Sequence, residues 1–238
     1  MMRLDKFFTE CGTLTRSETA RAVRGGRITV NGITAVSAAA KIDENTADVR
    51  LDGVSVGYKK FRYIMLNKPE GYVSTTDGDG RSVMTLLPPE MRRMDMFPCG
   101  RLDIDTTGLL IITNDGQSAH NLLSPKKHCE KTYRFECLPL DEGMKKKLES
   151  GVELKDFVSK PCRIELDDAE HGAITVTEGK YHQIKRMFLA VGSEITRLER
   201  ISFAGIALDE KLSRGEWREL DEKETALLLS NAGQIGGN

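Results

Sequence analysis

The apolar positions near the start of the chain fall at Leu4, Phe7, Phe8 and Cys11, the i, i+3, i+4, i+7 spacing of an amphipathic helix with one face to bury. Gly12 supplies a stop. Thr15-Arg16-Ser17-Glu18 then has the T-x-x-E form of a capping box, opening a second helix that reaches Gly25-Gly26. Residues 27–30 read as a short strand, and Asn31-Gly32 is the dipeptide that most strongly favours a two-residue hairpin turn. The polar stretch 57–60 predicts a linker, and the apolar run 61–66 a buried strand after it. Two domains are expected, 1–58 and 59–238.

Strand-like runs recur at 108–113, 131–137, 162–166, 173–177 and 195–203, with helical patterns at 117–123, 141–150, 181–191 and 221–231. The alternation is too irregular for βαβ winding, so the expected class is α+β: a small N-terminal α/β domain, then a larger mixed and mainly antiparallel sheet. A length of 238 residues suffices for this division. No apolar run approaches the roughly 20 residues that span a bilayer, and the start MMRLDKFF is a charged helix pattern, not a secretory signal. A cytoplasmic protein without membrane attachment is expected. Cys11, Cys99, Cys129, Cys137 and Cys162 form no CxxC pair and no zinc-type spacing, which predicts reduced, structural thiols.

Net charge is -1, but its distribution is uneven: residues 1–60 carry ten Lys/Arg against seven Asp/Glu. Local basic patches are what recognise phosphate. Arg16, Arg21, Arg24 and Arg27 cluster on the predicted second helix and the strand after it, beside the hairpin. Such an arrangement can contact the phosphates and loop shape of folded RNA. Further on, Gly100-Arg101-Leu102-Asp103-Ile104-Asp105-Thr106-Thr107-Gly108 places a charged, glycine-bounded loop just before an apolar strand. Loops held by a rigid strand commonly carry reactive groups. A carboxylate flanked by arginine suits a nucleophile or base, although Asp-x-Asp alone is equally compatible with an ordinary polar loop.

The segment RLDKFFTECGTLTRSETARAVRGGRITVNG resembles the S4 RNA-binding domain, and G-R-L-D-x-x-T-x-G-L resembles the signature of the RsuA-like family of pseudouridine synthases. Residues 66–72 are similar to that family's opening strand-turn, 130–133 to its tyrosine-bearing strand and 178–188 to its basic helix. The resemblance implies that Asp103 is the catalytic aspartate, Tyr133 a tyrosine packed against the target base, and Lys185 the basic partner of the aspartate. Asp105 falls at a variable position. Arg101 is expected to hold the loop and the RNA backbone, with Arg16, Arg21, Arg24, Arg27, Lys68, Lys131, His182 and Arg186 as further RNA contacts. No cofactor or metal is implied.

The helical period supports Lys185 independently, because Ile184, Met187, Phe188 and Val191 define one apolar face with Lys185 at its edge. Its stem can be buried while the ammonium meets a carboxylate; Arg186 points to the far side, free for phosphate. His182 lies off the apolar face and suits an RNA-contacting or structural role. Tyr181-His182-Gln183 and residues 124–130 resemble the branch acting on small-subunit rRNA. This implies isomerisation of one uridine to pseudouridine in 16S rRNA, within an assembling particle, by a monomer. The alternatives are a large-subunit rRNA substrate, a binding-only RNA chaperone or assembly factor, and a metal-dependent transfer reaction at Asp103-Ile104-Asp105.

Overall fold

A computed structural model describes residues 1–77, 80–92 and 94–233. The chain divides into two compact units, Met1–Arg62 with Leu87–Met96, and Tyr63–Leu86 with Phe97–Asn238. The division thus falls four residues beyond the expected 58/59 boundary, and the segment Leu87–Met96, assigned from sequence to the second domain, clusters with the first. A short excursion of this kind leaves no hydropathy signal.

In the first unit, β1 (Met2–Arg3) runs into α1 (Leu4–Glu10) and pairs with β4 (Lys41–Ile42). The second helix, α2 (Arg16–Arg24), opens on a complete capping box: Thr15 Oγ1 accepts from the Glu18 amide at 3.3 Å, and Glu18 accepts from the Thr15 amide at 2.7 Å. Strands β2 (Ile28–Val30), β3 (Ile33–Thr34), β5 (Val49–Leu51) and β6 (Val54–Ser55) form an antiparallel sheet in the order β3-β2-β5-β6. Asn31 and Gly32 have φ of 51° and 79°, and Asp52-Gly53 repeats the pair at 52° and 81°. Positive φ at both central residues is what a type I′ hairpin requires. Leu4, Phe7, Phe8, Ala22, Val23, Ile28, Ile42 and Val49 make the core. The short α3 (Pro89–Arg92) belongs to this unit. Gly12 (φ 71°) tolerates it because any Cβ there would lie 2.5 Å from the Glu90 carbonyl oxygen.

The second unit is built on β7 (Tyr63–Lys68), β8 (Phe97–Pro98), β9 (Thr107–Thr113), β10 (Lys131–Cys137), β11 (Arg163–Leu166), β12 (His171–Val176), β13 (Ile195–Phe203), β14 (Ile206–Ala207) and β15 (Trp217–Glu219). Its main path runs β11-β12-β10-β13-β9-β7-β15. All these neighbours are antiparallel except β13 and β9, which meet in parallel through Glu199↔Thr107 and Arg200↔Gly108. Every residue of β7 is buried, as in a strand covered on both faces.

Four helices complete this unit: α4 (Gly116–Leu123), α5 (Glu142–Ser150), α6 (Gln183–Val191) and α7 (Glu222–Asn231). Ala119 and Leu122 of α4 and Leu228 of α7 join Tyr63, Met65, Leu109, Ile111 and Phe203 in one cluster. Phe188 of α6 meets Phe135 of β10 edge-to-face with ring centroids 5.0 Å apart, a contact worth about 0.5–1.5 kcal/mol beyond the area it buries. Helix α6 starts two residues later than its apolar period suggests, because His182 takes a left-handed backbone (φ 48°, ψ 33°). No described helix is long and apolar enough to cross a membrane.

Candidate active site

The loop from Gly100 to Thr106 leaves β8 and enters β9, and its path is fixed from inside the protein. Ser74 Oγ donates to the Leu102 carbonyl at 3.1 Å and accepts from the Leu102 amide at 3.0 Å. Beneath the loop, the Lys68 ammonium donates to the main-chain oxygens of Thr106 at 2.8 Å, Asp103 at 3.0 Å, Pro69 at 3.2 Å and Ile104 at 3.4 Å. Lys68 is 0 % exposed, so its expected contact with RNA is corrected: its charge faces the loop's own carbonyls. Burial pushes this ammonium down to about 8, against the pull of Asp105, Asp103 and Glu70. The sequence placed Lys68 in the strand-turn 66–72, beyond the apolar run, and carried no sign of the loop that returns to it.

Asp103 opens into a cleft of about 870 Å³. Tyr133, Lys185, His182, Arg101 and Lys131 line the same cleft, so six of the residues singled out in the sequence meet there. The volume suits a nucleotide-sized group. His182 Nε2 stands 3.6 Å from Asp103 Oδ1, and Lys185 Nζ 3.8 Å from Oδ2. The partnership expected of Lys185 is therefore shared. Its shorter contact, 2.5 Å, goes to Asp105 Oδ1, which sequence reasoning set aside as variable. Burial acts to raise the Asp105 carboxyl, but the Lys185 hydrogen bond and charge outweigh it and hold the group below the ordinary carboxylate range.

The turn before α6 positions its basic residues. Gln183 Nε2 donates to Glu178 Oε1 at 2.7 Å, and Gln183 Oε1 accepts from the Lys180 amide at 3.0 Å. His182, with its side chain free of capping duty, stacks on exposed Tyr181 at 3.8 Å between ring centroids. Arg186 is not free for phosphate as expected: its guanidinium pairs with Asp156 and lies 5.2 Å from the centre of the Phe157 ring. Neither partner was legible, since both come from a loop some thirty residues upstream.

Lys131, expected among the RNA contacts, is buried and donates to the Cys129 carbonyl at 3.0 Å. Its ammonium is committed to the fold, and burial followed by the nearby charge of Arg200 holds its pKa down. Arg101 is exposed. Arg16, Arg21, Arg24 and Arg27 are exposed on the first unit, Arg27 in a hydrogen-bonded pair with Asp52 (2.8 Å). Cys99 is fully buried and its thiol is pushed up to about 12, which suits an inert side chain. Among the described residues no three His, Cys, Asp or Glu side chains are grouped to hold a metal ion.

A family description, RNA pseudouridylate synthase, matches residues 62–190. The chain is 42% identical over 234 residues to "Uncharacterized RNA pseudouridine synthase YtzG" of Bacillus subtilis, covering 95% of this chain and 98% of the relative. It is 40% identical over 233 residues to "Ribosomal small subunit pseudouridine synthase A" of Escherichia coli K12, covering 96% and 100%. A solved structure, "Crystal structure of pseudouridylate synthase", superposes with a TM-score of 0.68 at 35% identity over 96% of this chain and 100% of that one. Family match, full-length relatives and superposition agree with one another, and the chain belongs to the RsuA-like family of RNA pseudouridine synthases, which are isomerases.

Proposed function

We propose that this protein isomerises one uridine of 16S rRNA to pseudouridine, with Asp103 as the reacting carboxylate. The observation that carries the assignment is the convergence of Asp103, Tyr133 and Lys185 on one cleft of nucleotide size. The small-subunit substrate rests on the near full-length similarity to the relatives named for that activity.

The reaction breaks the bond from ribose C1′ to uracil N1, turns the base and joins C1′ to C5; the C5 proton is lost to solvent and N1 takes one up, so the net change is an isomerisation. A carboxylate at the sugar–base junction serves as nucleophile at C1′ or as base toward a sugar proton, and either role uses Asp103 where it stands. The target must first leave its stack, at a cost of about a few kcal/mol. The Tyr133 ring offers the everted base a face to offset part of that cost. Lys185 balances the carboxylate charges of Asp103 and Asp105 at the cleft wall, and exposed Arg101 meets the backbone.

The first unit, read as an S4-like domain, supplies sequence-independent RNA affinity through Arg16, Arg21 and Arg24. The protein works in the cytoplasm as a monomer, on rRNA within an assembling small subunit. The test is tritium release from 16S rRNA labelled at uracil C5, coupled to chemical mapping of pseudouridine in rRNA from cells with and without the gene. Release together with loss of one mapped site in the deletion strain is expected; no release from any rRNA substrate would overturn the assignment.

A further inference from the structure

The floor of the cleft holds polar groups that the reaction as described leaves unused. Arg200 is 2 % exposed. Its Nε donates to the Leu109 carbonyl at 2.7 Å and its guanidinium lies 5.1 Å from the centre of the Phe203 ring. Nη2, fully buried, has no hydrogen-bond partner among the described residues, and the same holds for Oγ1 of Thr106, a residue 1 % exposed. Both residues line the cleft that holds Asp103 and Tyr133. Buried polar groups in folded proteins are nearly always matched, so two unmatched in the lining of one cleft, a guanidinium donor and a hydroxyl able to accept, call for a partner from outside the chain.

The backbone around Arg200 is shaped for this. Thr132 pairs with Ser202 and Tyr133 with Arg200, which leaves Ile201 as an extra residue in β13. Such a bulge redirects the side chains beside it. On the opposite side Gly108 lets β9 approach, since a Cβ there would lie 2.3 Å from the Arg200 carbonyl oxygen. The charge is equally specific. Lys131 and Arg200 are two buried cations on this floor, while the nearby Glu178 carboxylate is occupied by the Gln183 amide and the Lys160 main-chain N–H. The floor therefore favours an electron-rich acceptor.

Resting on the pseudouridine synthase reading, we propose that Arg200 and Thr106 recognise the everted base as uracil. Arg200 Nη2 donates to the O4 carbonyl, and Thr106 Oγ1 accepts the adjacent N3–H. Cytosine presents an amino group in place of O4 and a bare N3, so the guanidinium would face a donor and the hydroxyl would lose its partner. A site built to hydrogen-bond its ligand discriminates strongly against an analogue with reversed polarity.

The experiment compares the parent protein with Arg200→Gln and Thr106→Val, using 16S rRNA fragments that carry C5-tritiated uridine or 4-thiouridine at the mapped position. Both variants are expected to lose about 10- to 100-fold in single-turnover rate on uridine, the range of one charge-assisted or buried hydrogen bond, with RNA affinity held within about twofold. Replacing O4 by sulfur should slow the parent about tenfold and leave Arg200→Gln nearly indifferent. Thr106→Val, nearly isosteric, should keep the parental unfolding midpoint, and it carries the test if Arg200→Gln fails to fold. No release from the parent would sink the pseudouridine synthase reading itself. Release by the parent with variant rates within about twofold of it, or an undiminished 4-thiouridine penalty in Arg200→Gln, would overturn the base-recognition assignment alone.

Discussion

Lys185 reaches across from α6 to touch Asp105 at 2.5 Å while standing 3.8 Å from Asp103. One ammonium thus serves two carboxylates of the same loop, the nearer of them 54% exposed and the other 29%. A half-exposed ion pair is worth only about 0–1 kcal/mol, so Asp105→Asn should lower the single-turnover rate by about fivefold or less. Lys185→Met removes the cation from both carboxylates and should cost about 100-fold, within the range for losing one electrostatic contact in a reacting site. Equal losses in the two variants would place the function of Lys185 on Asp105.

Asp103→Asn removes the reacting charge at nearly unchanged shape. Turnover should fall by at least about 10⁴-fold while RNA affinity stays within about twofold, as expected when the group acts only in the chemical step. Tritium release and filter binding on the same preparation give both numbers, and a rate near that of the parent would refute the assignment.

Lys68→Met keeps most of the side-chain volume but withdraws the donor shared by three loop carbonyls and that of Pro69. Leaving such buried acceptors unmatched should cost about 1–3 kcal/mol of stability and loosen the loop that carries Asp103. Urea unfolding and turnover should both change, with RNA affinity preserved; a purely RNA-contacting lysine would give the opposite pattern.

Asp115 caps α4, accepting from the Ser118 amide at 3.1 Å and from the Tyr63 hydroxyl at 2.7 Å. Burial acts to raise its carboxyl, but the Ser118 and Tyr63 hydrogen bonds prevail and hold it below its ordinary value of 3.8. The folded state therefore binds the proton less readily than the unfolded chain. The resulting stabilisation is complete above the unfolded pKa and is lost as pH falls through the depressed folded one. Urea midpoints measured from pH 5 to pH 2 should fall less steeply for Asp115→Asn than for the parent.

Arg21 and Arg24 are exposed cations on α2. Replacing both by Ala should weaken RNA binding and reduce the slope of log affinity against log salt by about 1 to 2, the equivalent of two phosphate contacts. Turnover at saturating RNA should be unchanged, which separates placement from chemistry.

Local signals carried most of the architecture into view. The capping box at Thr15, the Asn31-Gly32 hairpin and the apolar period of α6 act within a few residues of themselves, and each is where the pattern put it apart from the late start of α6 at Gln183. The Gly100–Thr106 loop stood out by composition only as a charged, glycine-bounded loop, and its catalytic reading came from the resemblance to the family signature. What stayed hidden depends on residues far apart in the chain: the cage around Lys68, whose carbonyls lie up to 38 residues on, the Asp156 partner of Arg186, and the aim of Arg200 across its bulge. The pairing of Lys185 with Asp105 was missed for a related reason. Helical periodicity gives the direction of a side chain but not which of two neighbouring carboxylates awaits it.

The parallel seam between β9 and β13, only two residue pairs long, unites strands that otherwise belong to separate antiparallel halves. Asp103 enters from one half, Tyr133 and Arg200 from the other. Their mutual spacing is consequently governed at this junction, where Gly108 admits no larger residue. The outlying strands β11 and β15 can drift in composition and leave the cleft residues in step, whereas a slip at the junction would part Asp103 from Tyr133 and Arg200.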